Sequence, residues 1–164
     1  MLTAGFVHDW NAPWHILLNS FAIYIFGREL EPMLGKFRFL FLYLASILGG
    51  SVVVLWLSEL RTPVVGASGA FFGLMGAFFI IERSLGRNPT QLLVLIVINL
   101  SMGFFVSGIS WEGHLGGLVT GAAIAAIYME SKKRPKPGAY QLGGCLVMLA
   151  ILVGLTLAKV LSWF

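Results

Sequence analysis

Charge is what this sequence has least of. Asp, Glu, Lys and Arg make up 11% of its 164 residues, against roughly 25% in soluble globular domains. A share that small excludes an intrinsically disordered chain, which combines high charge with low hydrophobicity. It excludes a solvated coiled coil too, whose seam is flanked by charged positions. Cysteine is nearly absent. Cys145 stands alone, so it forms no intrachain bridge and a disulfide scaffold is excluded. Soluble inserts, low-complexity tracts and repeats of useful length are also missing.

Apolar residues are abundant instead, at 58% against roughly 45–50% in soluble domains, with a mean hydropathy of +0.89. The length allows one compact domain. Composition therefore describes an integral membrane protein and not a soluble enzyme. Crossing hydrocarbon as a helix takes about 17–25 residues, and six stretches qualify or come close: 13–27, 39–58, 62–81, 89–111, 113–129 and 138–158. Apolar residues run continuously through them and do not alternate, so none reads as a strand. The expected fold is all-α, a polytopic membrane helical bundle whose short connections make sequential helices neighbours.

The basic residues orient it. Arg28, Lys36 and Arg38 lie between spans one and two, and Arg83 and Arg87 between three and four. Lys132, Lys133, Arg134 and Lys136 lie between five and six. Only Arg61 and Lys159 fall on the other side, so the alternate loops are cytoplasmic and both termini exterior. The net charge of +4 thus reflects solvated cytoplasmic turns, and no nucleic-acid partner is expected. The first ten residues have no basic n-region and do not read as a signal peptide.

A polar group inside a span is costly and marks a functional candidate. Spans one, three and five run from outside to inside, and each carries such a group near its outer end: His15 with Asn19, then Ser68, then His114. The topology puts all four at one depth. Pro63 ahead of Ser68 predicts that the third helix begins late, leaving Ser68 at a helix N-terminus. Free N–H groups there favour an anion, and a serine whose own N–H faces a developing oxyanion suits acyl transfer. Taken alone, Ser68 reads more readily as a small packing residue, and His114 as an interfacial residue bonded to a carbonyl. Together they form a minimal nucleophile and general base.

Glycine supports the pairing. Gly66, Gly69, Gly73 and Gly76 fall near one face of the third span, and Gly113, Gly117, Gly121 and Ala125 form a stripe on the fifth. Two such faces let backbones approach closely and bring Ser68 toward His114. His15 and Asn19, four apart on one face, would complete an oxyanion hole, or else bond between helices. Asn99 and Ser101 read as interhelical bonding only. Asp9 and Glu112 read as solvated, leaving a Ser/His dyad without an orienting carboxylate. His8, His15 and His114 could gather three imidazoles, but no Cys or acid stands at ligand spacing, so no metal is expected.

With Gly66-Ala67-Ser68-Gly69, Gly113-His114-Leu115-Gly116-Gly117 and His15-Ile16-Leu17-Leu18-Asn19, the chain resembles the rhomboid family of intramembrane serine proteases. The stretches LTAGFVH at 2–8 and GRELEPMLG at 27–35 look like it too, and the similarity covers about residues 2–130. The resemblance implies a serine endopeptidase with Ser68 as nucleophile and His114 as general base. His15, Asn19 and the Ser68 N–H would stabilise the oxyanion. It implies no metal or organic cofactor, and as partners the lipid bilayer and single-pass or other membrane-anchored protein substrates, often cut at small residues. Span 89–111 and the loop 107–112 would form a mobile gate.

By the same resemblance, residues 1–130 form the catalytic membrane domain, 131–137 a basic cytoplasmic loop and 138–164 an additional C-terminal transmembrane helix. The family's first core helix and the exterior loop after it would be missing, through truncation or a naturally short form. Three alternatives stay open: a non-catalytic relative that binds transmembrane clients, an inactive fragment, and a small transporter, which the lack of a mid-span charge disfavours. Short loops suit a prokaryotic plasma membrane, with the active site opening to the exterior.

Overall fold

The computed structural model describes residues 1–7, 13–58, 66–106 and 108–163. A 3-10 helix at Thr3–Phe6 precedes six α-helices: α1 (Pro13–Leu34), α2 (Lys36–Leu57), α3 (Ser68–Ser84), α4 (Thr90–Phe105), α5 (Trp111–Ser131) and α6 (Pro137–Leu161). Among the described residues there is no strand. His8, Asp9, Arg61 and Pro63 lie outside the described residues, as do the expected start of the third span and the first residue of the 107–112 loop.

Two helices depart from their expected lengths. The first does not stop at residue 27 but runs through a charged turn to Leu34, because Leu30 and Leu34 on that extension are buried in the core. Gly35 ends it. With φ +84, a backbone region that glycine enters without steric cost, its N–H bonds to the Glu31 carbonyl and its own carbonyl accepts from Phe39. One residue thus closes α1 and opens α2. The fourth helix stops at Phe105, well short of residue 111. Gly108 (φ +87) follows it, and Ser110 then starts α5 by accepting a 3.1 Å bond from the Gly113 N–H, which satisfies an orphan donor of the first turn.

Sequential helices do touch, yet the core is organised otherwise. α5 lies against both α3 and α2, and α1, α4 and α6 sit around those three. Glycine makes these contacts close. A methyl on Gly117 would collide with the Gly69 carbonyl and one on Gly121 with the Gly73 carbonyl; one on Gly76 would meet the Leu118 carbonyl. On the other side of α5, a methyl on Gly116 would strike the Gly49 carbonyl, and one on Gly50 would come within 2.7 Å of the Gly113 carbonyl. Ser46 wedges against Gly73. Its hydroxyl is satisfied within its own helix, donating to Leu42 O at 2.7 Å, as a dry interior requires.

The periphery is inside-out for water. Only Ile96 is buried in α4 and only Leu152 in α6, while Trp14, Leu18 and Phe21 on α1, Val97 and Ile98 on α4, and Leu146 and Val153 on α6 are exposed. A belt of that extent exceeds any patch a soluble monomer tolerates and matches a lipid-facing surface. By length and apolarity alone α2 and α6 suffice to cross a membrane, with α4 a shorter apolar helix. Glycine and polar residues dilute the hydropathy of the helices that carry the site.

Candidate active site

The beginnings of α1, α3 and α5 converge. Ser68 is the first residue of α3, so the late helix start expected from sequence is present. His114 lies in the first turn of α5 and is only 7% exposed. The contact between Gly69 and Gly117 lies one residue past Ser68 and three past His114, which locks the two helix ends together. Ser68, His114, His15 and Asn19 all line one cavity of about 360 Å³. Among the described residues, neither the Ser68 hydroxyl nor His114 Nδ1 has a hydrogen-bond partner, and Nδ1 is fully buried. Both groups are chemically uncommitted. Such bonds are often long before substrate binds.

A ring holds the imidazole in place. Phe72 stacks on His114 with centroids 4.1 Å apart and planes 14° from parallel. Phe72 lies four residues beyond Ser68, on the same face of α3, so one helix carries both the hydroxyl and the plate against which the imidazole rests. Sequence reasoning passed over Phe72; the i, i+4 spacing from Ser68 was the available signal.

The oxyanion candidates sit opposite. The half-buried His15 ring lies against Gly66, where a methyl would come within 2.7 Å of Cε1. Gly66 does not belong to the α3 glycine face, as the sequence had suggested. It precedes the helix with φ +124, and its N–H bonds to Ala4 O at 2.9 Å, tying the 3-10 helix to the segment before Ser68. Asn19, 7% exposed, donates one amide N–H to the His15 carbonyl at 2.8 Å, leaving its second N–H. Gly113 meets α2 through Gly50 as well as α3.

Two expectations change. Asn99 and Ser101 bond to Leu95 O and Ile98 O of their own helix, and Asn99 lines the cavity. Glu112 is half-buried and accepts from the Ser110 hydroxyl at 3.0 Å, held there by the α5 cap. A second cavity, of about 430 Å³, reaches Ser68 from the side of the 3-10 helix and α2 and shares Ser68 and Ser110 with the first.

These features describe a multi-pass helical membrane protein with polar groups gathered in a cavity among its helices. Comparison with known proteins narrows this. The Rhomboid domain model matches residues 1–131, and the chain belongs to the rhomboid family. It is 37% identical over 147 residues to the rhomboid protease GluP of Bacillus subtilis (strain 168), an alignment covering 85% of this chain and 28% of GluP. It is 34% identical over 139 residues to the putative rhomboid protease YdcA of the same organism, covering 82% of this chain and 66% of YdcA. RHOMBOID-like protein 6, mitochondrial, of Arabidopsis thaliana is 36% identical over 122 residues, covering 70% and 39%. The chain thus spans less than two thirds of the length of each. No solved structure gives a significant match.

Proposed function

We propose that this chain is an intramembrane serine protease that hydrolyses peptide bonds in or beside transmembrane segments of membrane-anchored proteins. The observation that carries the reading is the shared cavity of Ser68 and His114, with their helices locked at Gly69 and Gly117. In the first half-reaction the Ser68 oxygen bonds to the scissile carbonyl carbon while His114 takes the hydroxyl proton. The oxyanion is met by the Ser68 N–H at the α3 N-terminus, by the spare Asn19 N–H and by His15. The tetrahedral adduct expels the amine, which leaves with the proton from His114. Water then attacks the acyl carbon while His114 takes its proton. The bond between that carbon and Ser68 Oγ breaks, releasing the acid as His114 returns the proton to the serine oxygen. The second cavity supplies a route for that water which the substrate does not block.

Between α1 and α4, Leu18, Phe21, Asn99 and Met102 line the cavity, an apolar mouth suited to a segment arriving from lipid, with α4 as the gate. Residues 1–130 carry the chemistry, 131–137 a cytoplasmic turn and 138–164 an added helix, with the cavity opening to the exterior of a prokaryotic plasma membrane. The test is Ser68→Ala and His114→Ala against a co-expressed membrane substrate and a fluorophosphonate probe. Cleavage and labelling should vanish in both variants. Wild-type cleavage by Ser68→Ala would remove the nucleophile from the scheme. Client binding without cleavage is a second reading, favoured by the unbonded Ser68 hydroxyl; it predicts that wild type and Ser68→Ala retain clients equally and cut none.

A further inference from the structure

Asn99 sits in an otherwise apolar stretch of α4 and faces the cavity that holds Ser68 and His114. A polar side chain in a lipid-bathed helix usually serves as glue between helices, but among the described residues this one bonds only to Leu95 O, 2.8 Å away in its own helix. Asn19 stands on the α1 wall of the same cavity in the same posture, its amide tethered to the carbonyl four residues back. An asparagine amide has two N–H donors and an oxygen with two lone pairs. With one donor spent, Asn99 keeps one N–H and its oxygen. Leaving these in hydrocarbon is costly, and an acyl chain has nothing to offer them. A peptide segment pulled out of helix does, since its main-chain N–H and C=O groups have lost their own partners.

We propose that Asn99 is a substrate-binding residue of the gate helix, hydrogen-bonding the main chain of a peptide segment that lies unwound between α1 and α4. This rests on the protease reading above. Asn99 then compensates the broken helix bonds of the substrate on the α4 side, and Asn19 faces it from α1.

The test compares Asn99→Leu with wild type, using Ser101→Ala as the control. Ser101 is on the same helix, its hydroxyl is bonded to Ile98 O, and it does not line the cavity. Leucine at position 99 suits a lipid-facing helix, so loss of folding is not the expected failure. At subsaturating substrate, Asn99→Leu should cleave a single-pass membrane substrate about tenfold more slowly, the scale of one unmade hydrogen bond. The loss should fall on KM, because the contact is present before the chemistry. Fluorophosphonate labelling of Ser68, which needs no contact with α4, should persist, and Ser101→Ala should behave as wild type. Wild-type cleavage by Asn99→Leu, or an equal loss in Ser101→Ala, overturns the assignment and leaves the protease reading standing. Absence of Ser68-dependent cleavage and labelling in the wild type overturns both.

Discussion

The carbonyl oxygen of Gly69 occupies the space that any side chain at Gly117 would need. This contact joins the start of α3 to α5 just below Ser68 and His114, so the distance between the hydroxyl and the imidazole depends on the missing side chain of Gly117. In a membrane, close backbone packing replaces the hydrophobic effect as the source of helix affinity.

Gly117→Val should therefore separate the two helices. Overpacking of this kind costs about 1–3 kcal/mol, and more where the obstacle is backbone. Thermal unfolding in detergent should show a lowered midpoint, and cleavage should fall further than stability. A midpoint equal to wild type would mean that α3 and α5 are held by something else.

Phe72 offers a cleaner separation of folding from chemistry. Removing the ring in Phe72→Ala creates a buried void that costs about 3–5 kcal/mol and lets the imidazole turn. Phe72→Leu keeps much of the volume but not the flat surface. It should stay folded, with a fluorophosphonate labelling rate reduced about fivefold if the stack is worth its usual ~1 kcal/mol. Unchanged labelling would reduce the stack to packing.

Gly66 combines two constraints. Alanine there is strained at φ +124 and presses on the His15 ring. Gly66→Ala should lower turnover while leaving the assembly of α2, α3 and α5 intact, because the residue precedes α3. Limited proteolysis compared with cleavage rate separates the two effects.

Ser110 caps α5 and binds Glu112. Ser110→Ala removes the cap, at a cost of about 1 kcal/mol, and frees the first turn that carries His114. Ser110→Asp retains an acceptor for the Gly113 N–H and should recover most of the stability. Failure of aspartate to do so would show that losing the hydroxyl donor to Glu112 and setting a second carboxylate beside it outweigh the cap.

Orientation is open to chemical labelling in a Cys145→Ser background. A cysteine in place of Lys133 should react with a membrane-impermeant maleimide only after permeabilisation of cells, and one in place of Thr3 should react without it. The reverse pattern would invert the topology.

Much of this arrangement was legible in the chain. Continuous apolar runs indicated six helices, since hydrocarbon admits no unpaired backbone. The glycine spacing of α3 and α5 marks faces where backbones can approach, and Gly117 packs on Gly69 and Gly121 on Gly73. Less visible was the second partner of α5. Gly116 and Gly113 pack on the Gly49–Gly50 pair of α2, and a two-residue feature has no periodicity to detect. Gly66 was assigned to a helix face that it precedes, since spacing cannot register a change of backbone from helix to positive φ. The early end of α4 was hidden for a similar reason: Val106 and Ile109 are as apolar as the helix before them, while Gly108 at positive φ and the Ser110 cap interrupt it.

Sequence alone determined the solvent, the helices and the few polar residues worth attention, because burial in lipid constrains each segment independently of the others. Which of those residues share a cavity was decided by tertiary packing. Phe72 reaches His114, Asn99 and Asn19 come to line one cavity, and Ser68 lies between two cavities only once the helices are packed around α5, a relation between distant segments that no local pattern encodes.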